Sequence, residues 1–161
     1  MLNFENITSM LNKMRYSFKV YRHDPLFSVK DSIKKRGKIN GSHTKNLFLK
    51  NKKNKFTLIS CLENTNINLK EISKEFKLGN LSFAKEKWLK DLLGVKPGSV
   101  TPFGLLNSNL PIKFIFDKKI LNYKLVNFHP LENTSTISLK SEDFIFFMEK
   151  NNINIITYNF K

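Results

Sequence analysis

The chain has 161 residues, 40% of them hydrophobic and 25% charged, with fifteen phenylalanines. That is the size and make-up of one domain, residues 1–161, with core material a disordered chain would lack and no need of disulfide staples. Twenty-eight Lys and Arg against thirteen Asp and Glu leave a formal charge of +15, which favours a polyanionic partner and makes nucleic acid the leading class.

The predicted elements alternate in type along the chain. Phe4, Ile7, Met10, Leu11 and Met14 recur at helical spacing, and YSFKVYRH then alternates as a strand until Pro25 interrupts it. SVKDSIKKRG reads as a short helix capped by Ser28 and stopped by Gly37. KNLFLK and KFTLISCL flank the polar turn NKKN as a hairpin expected at the centre of the sheet. Leu69, Ile72 and Phe76 mark a helix ending near Gly79, and FAKEKWLKDLLG gives another, with Trp88, Leu89, Leu92 and Leu93 inward and Gly94 past its end. After the loop GVKPGSVTPFG come strands at IKFIFD, KLVNF and TSTISL, a helix at SEDFIFFMEK and a last strand at INIITYNF. Helices interleaved with strands that include a hairpin imply a mixed α/β (α+β) fold with a mixed central sheet rather than a regular doubly wound one.

Cys61 lies in an apolar run, where a lone thiol is a small core hydrophobe and cannot form an internal disulfide. Neither a long apolar segment nor a signal-like leader stands out, so the expected location is the cytoplasm, with no membrane partner.

Three places carry candidate chemistry. In GSHTKNLFLK a polar residue leads each face of the strand: Lys45 precedes Leu47 and Leu49, while Asn46 precedes Phe48. An ammonium here either snorkels to water or stands in a cleft wall, where it could bind phosphate or stabilise developing negative charge. Lys45 and Asn46 point opposite ways from an ideal strand, so they can share one site only near a strand start or a bulge. GVKPGSVTPFG has glycines for freedom and prolines for stiffness, a backbone able to approach a small ligand closely or to serve as an ordinary connection. His129 precedes Pro130, which biases its backbone to an extended or turn conformation at a strand end. It suits acid/base or orienting duty as well as a structural role, and His23 and His43 are weaker candidates. No phosphate loop, paired Cys-x-x-Cys or His-Glu-x-x-His is present, and no serine or cysteine has a recognisable base partner.

The segments GSHTKNLFLK, LSFA, LGVKPGSVTPFGLLN and NFHPLENTSTISL, in that order and at those separations, resemble the YbaK/ProX family of aminoacyl-tRNA deacylases. The likeness runs from about HDPLFSV to the last strand, and within the family it is to the free-standing prolyl-tRNA editing proteins that remove alanine from proline-accepting tRNA. It implies hydrolysis of the ester joining a wrong amino acid to the terminal adenosine of tRNA, without metal or organic cofactor. The partner it implies is tRNA, with prolyl-tRNA synthetase a candidate associate. Lys45 would act at the terminal phosphate or the reacting ester, Asn46 would position the adenosine or aminoacyl group, and His129 would shape or polarise the pocket. The loop Gly98, Ser99, Val100, Thr101 and Pro102 would offer backbone contacts to the aminoacyl end. Phe48, Phe103 and Leu105 are candidate pocket walls, with core packing as their other reading. Lys13, Arg15, Arg22, Lys34, Lys35 and Arg36 are candidates to track tRNA phosphates. GSVTPFGLLN and NFHPL favour alanine as the amino acid removed; the alternatives are cysteine or another specificity, a tRNA-binding adaptor, and a general nucleic-acid module. Intact Lys45, Asn46 and His129 argue against the adaptor.

Overall fold

The computed structural model describes residues 1–161. Its helices are α1 (Phe4–Lys13), α2 (Val29–Lys35), α3 (Leu69–Phe76), α4 (Glu86–Trp88) and α5 (Ser141–Lys150). The strands are β1 (Phe18–Arg22), β2 (Ser42–Lys50), β3 (Phe56–Leu62), β4 (Ser82–Phe83), β5 (Ile112–Asp117), β6 (Leu125–Phe128), β7 (Ser135–Lys140) and β8 (Ile155–Tyr158). They form one mixed sheet in the order β1-β7-β6-β2-β3-β5-β8, with the short β4 on β2. The expected hairpin, β2 with β3, is antiparallel and lies at the centre, while β2 with β6, β3 with β5, and β5 with β8 run parallel.

Local chemistry fixes the starts of two helices. The Ser28 hydroxyl accepts from the Asp31 N–H to start α2, and the Asn68 side chain accepts from the N–H groups of Lys70 and Glu71 to start α3. One expected helix differs. FAKEKWLKDLLG opens on β4, has α-helical winding only over Glu86–Trp88, and widens to π-helical winding over Leu89–Leu93. The following segment holds this last turn: the Asn107 amide donates to Leu93 O at 2.9 Å, and a Cβ on Gly104 would come within 2.9 Å of Leu93 Cβ. Trp88, expected inward, is half-buried against Phe56, with ring centroids 5.1 Å apart.

A large apolar core joins Ile7 and Leu11 of α1, Phe103, the strand residues Phe114, Phe116 and Phe128, and Phe144, Phe147 and Met148 of α5. Phe103 meets Phe128, Phe144 and Phe147 edge-on at centroid distances of 6.3, 5.9 and 5.7 Å, a geometry that adds to area burial for aromatic pairs. A smaller cluster contains Leu49, Ile59, Cys61, Ile72, Ile115 and Phe160. Burial pushes the Cys61 thiol up to about 12, so it stays protonated and inert, as a core thiol should.

The arrangement around β2 positions the site. One edge of β2 is filled by β3 from Thr44 to Lys50. On the other, β2 meets β6 only at Ser42 and His43, and meets β4 only at Leu49 and Lys50. The approach to β6 needs Gly41 at φ +100°, since a Cβ there would lie 2.6 Å from Leu125 O. Between the two contacts the sheet is open beside Lys45, Asn46 and Leu47.

Candidate active site

A cleft of about 240 Å³ lies at this opening, lined by Thr44, Lys45 and Asn46 of β2, by Gly98, Val100 and His129, by Glu63, and by Leu26 to Val29 and Ser32. That is below the roughly 300–1,000 Å³ of pockets that take up a whole drug-sized ligand, so it suits one end of a larger molecule. Lys45 and Asn46 both reach it although they alternate along the strand. A strand start or a bulge would allow this; β2 instead pairs with β3 without a bulge and has a gap in pairing on its other edge that opens it to both rows.

Asn46 is held by its neighbour on the hairpin. The Ser60 hydroxyl donates to Asn46 Oδ1 at 2.5 Å, which leaves the amide Nδ2 as the free donor of the side chain. Ser60 itself is fully buried. Thr44 Oγ1 donates to Asn127 O at 3.0 Å, pinning β2 to β6 where they part.

His129 Nδ1 lies 2.9 Å from Ser135 O. A carbonyl only accepts, so Nδ1 carries the proton and Nε2 is an acceptor. Burial moves the His129 pKa below the ordinary imidazole value; the Ser135 carbonyl opposes this and the nearby His23 adds to it. The ring is therefore neutral at pH 7. His23 stands edge-on with its centroid 6.0 Å away, and its Nε2 bonds with the Thr136 hydroxyl.

The GSVTP segment splits. Gly98, at φ +87°, and Val100 line the cleft, and their N–H groups take no part in backbone hydrogen bonds. A Cβ on Gly98 would stand 3.0 Å from both Leu26 O and Phe27 Cδ1, so glycine lets this loop sit against the Leu26 segment. Asn133 ties the same region: its Nδ2 donates to Leu26 O at 3.2 Å and its carbonyl accepts from the Leu26 N–H at 3.2 Å. Ser99, Thr101 and Pro102 are buried and do not line the cleft.

Two expectations about side chains need correction. Phe48 and Phe103 are not cleft walls: Phe48 stacks on Phe56 at 5.5 Å and Phe103 is wholly enclosed by the aromatic core, as Leu105 is buried beside it. The walls come instead from Leu26, Phe27, Val29 and Val100. Arg36 is not a free surface cation either. It clamps both carboxylate oxygens of Glu63 at 2.7 and 3.0 Å and donates to Ser32 Oγ, joining the end of α2 to the end of β3. Arg22 pairs with Glu132 at 2.8 Å and Lys35 with Asp31 at 3.7 Å, whereas Lys13, Arg15 and Lys34 are exposed and outside any ion pair. Thr44, Glu63 and the Leu26–Ser32 wall do not stand out in the sequence; HDPLFSV, which opens the family likeness, is the one signal pointing to that wall.

A mixed sheet that opens at its middle to gather a lysine, an amide, a neutral imidazole and a glycine-containing loop on one cleft has the chemistry to bind and polarise a small polar group. Residues 23–147 match the aminoacyl-tRNA editing domain family, and the chain belongs to it. It is 35% identical over 146 residues to prolyl-tRNA synthetase associated domain-containing protein 1 of Bos taurus, covering 88% of this chain and 85% of that one. The prolyl-tRNA editing protein ProX of Acetoanaerobium sticklandii is 29% identical over 139 residues, 85% of each chain. A solved structure described as a candidate trans-editing enzyme for prolyl tRNA synthetase superposes with a TM-score of 0.71 at 16% identity, over 98% of this chain and 96% of that one, a likeness of fold.

Proposed function

We propose that this protein is a trans-editing deacylase that hydrolyses the ester of mischarged tRNA, with alanine on proline-accepting tRNA as its substrate. The observation that carries the reading is the convergence of Lys45, Asn46, Gly98, Val100 and His129 on one small cleft in a member of the editing-domain family. The names of the ProX and synthetase-associated relatives supply the prolyl context.

An aminoacyl ester is already activated, so position and charge stabilisation suffice. Water attacks the carbonyl carbon, the bond from that carbon to the ribose oxygen breaks, and the proton from water ends on the ribose oxygen. The Asn46 Nδ2 and the free N–H groups of Gly98 and Val100 are donors for the carbonyl oxygen as it becomes an oxyanion. Lys45 supplies the fixed positive charge, at the terminal phosphate or at the oxyanion. The neutral His129 Nε2 is an acceptor that orients a hydroxyl or amine of the substrate. The exposed Lys13, Arg15 and Lys34 contribute to the field that draws in the RNA.

Editing is needed because a synthetase pocket excludes a smaller side chain poorly, each missing methylene giving only about 1–3 kcal/mol of discrimination. A small cleft walled by Leu26, Val29 and Val100 sorts by size. The test is steady-state deacylation of Ala-, Cys- and Pro-charged proline-accepting tRNA by wild type and Lys45→Ala. We expect alanine to be released selectively and the variant to lose about 10²–10³-fold in kcat/KM with unchanged folding. Protection of all three esters would instead make the protein a binder, and an active Lys45→Ala would remove the lysine from the mechanism.

A further inference from the structure

At the far end of β3 from the active-site cleft lies a second and larger groove of about 450 Å³. It is formed where the parallel strands β3, β5 and β8 begin, beside the segment that leaves α3. Its floor is apolar, from Ile112, Phe114 and Ile156, and its rim carries Lys55, Lys77 and Lys113. A shallower depression adjoins it through Lys77 and Leu81 and adds Lys70 and Lys74. The two together present five lysines and no Asp or Glu.

This concentration of charge has no internal partner. The ion pairs of the molecule use Arg22, Lys35 and Arg36, and none of these five lysines. Lys70 and Lys74 stand at i and i+4 on α3, where like charges repel. The helix does carry Glu71 and Glu75, but both lie outside the grooved face. Lys77 is held at φ +54°, a left-handed conformation uncommon for a side chain with a Cβ. The rim is also stiff: Asn51 Nδ2 donates to Leu78 O at 3.0 Å while its Oδ1 accepts from the N–H groups of Lys53 and Lys55.

We infer that this groove is a second RNA-binding surface, one that grips backbone phosphates of the same tRNA whose acceptor end enters the cleft. The inference rests on the deacylase reading for its choice of RNA. Charge complementarity favours a polyanion, and β3 separates the two sites by roughly 20 Å at about 3.3 Å per residue, a span that a folded tRNA bridges and a free aminoacyl ester does not. The cleft takes one end of the substrate, and the remaining phosphates need cations elsewhere.

The experiment measures binding of uncharged proline-accepting tRNA as a function of salt for wild type, for K55Q/K77Q/K113Q, for K70Q/K74Q, and for a charge-matched control, K19Q/K140Q/K150Q. Every phosphate left without its lysine should flatten the salt slope by about one. The triple groove variant should therefore flatten the slope by two to three and bind about 10–100-fold more weakly, and K70Q/K74Q should move the same way while leaving the strand ends untouched. With Ala-charged tRNA the groove variants should raise KM and leave kcat alone. Groove variants that match the control in slope and affinity would overturn the inference. So would unaltered tRNA binding accompanied by loss of poly-glutamate binding, which would assign the groove to an acidic protein segment. Groove-dependent tRNA binding by a wild type that never hydrolyses the ester would uphold the groove and remove the deacylase reading.

Discussion

The loop from Lys96 to Asn107 has two halves that do opposite things. Gly98 and Val100 face the cleft with free N–H groups, whereas Thr101 to Leu105 are buried, with Thr101 Oγ1 accepting from the Phe103 N–H to start the short 3-10 turn from Pro102 to Asn107. A continuous stretch of sequence thus lines the cleft at Gly98 and Val100 and packs into the interior after them. Neighbouring residues in one motif need not share a role, and the change falls where the chain turns inward.

Phe103→Ala tests the packing half most severely. Removing a fully enclosed ring should cost about 3–5 kcal/mol, read from urea unfolding, with amino-acid specificity retained by the molecules that remain folded. Broadened specificity without loss of stability would return Phe103 to the cleft and erase the division. Gly98→Ala tests the other half. Its left-handed backbone and the 3.0 Å approach to Leu26 O predict a cost of about 1–3 kcal/mol, together with reduced deacylation, because the Leu26 wall must shift. A variant as active as wild type would show that the wall is not held by this contact.

The smallest expected effect concerns pH and His129, which lines the cleft together with Gly98 and Val100. Its folded pKa lies below the ordinary imidazole value, chiefly through burial. As pH falls through about 6.5 the unfolded chain takes up a proton before the folded one does. The stability this histidine contributes is therefore complete above that value and lost as pH falls toward the lower folded pKa. Burial lowers the His43 pKa as well, so His129→Gln should flatten the acid limb of a stability-versus-pH curve only in part. An unchanged limb would mean that His129 is solvated.

Much of this architecture is legible locally. The helix cap at Ser28, the polar turn between β2 and β3, and the spacing of Phe144, Phe147 and Met148 are signals carried by adjacent residues. Lys45, Asn46, Gly98, Val100 and His129 stand out in the sequence and come together in space. What stays hidden depends on distant partners. Arg36 reads as an open cation until Glu63, 27 residues on, takes it. Phe103 reads as a wall until α5 encloses it. The gap beside Lys45 follows from the way β2 leaves a strand some eighty residues further along the chain, which strand periodicity does not encode.

The contact between β2 and β6 has a mechanical consequence. Two residue pairs are the whole backbone ladder between the half containing β1, β7 and β6 and the half containing β3, β5 and β8, yet the large core runs beneath both. The halves are thus glued by side chains more than stitched by amides. Native-state hydrogen exchange should find the Ser42 and His43 seam opening at lower free energy than the β2–β3 hairpin beside it, so the cleft lies along the line at which the sheet parts first.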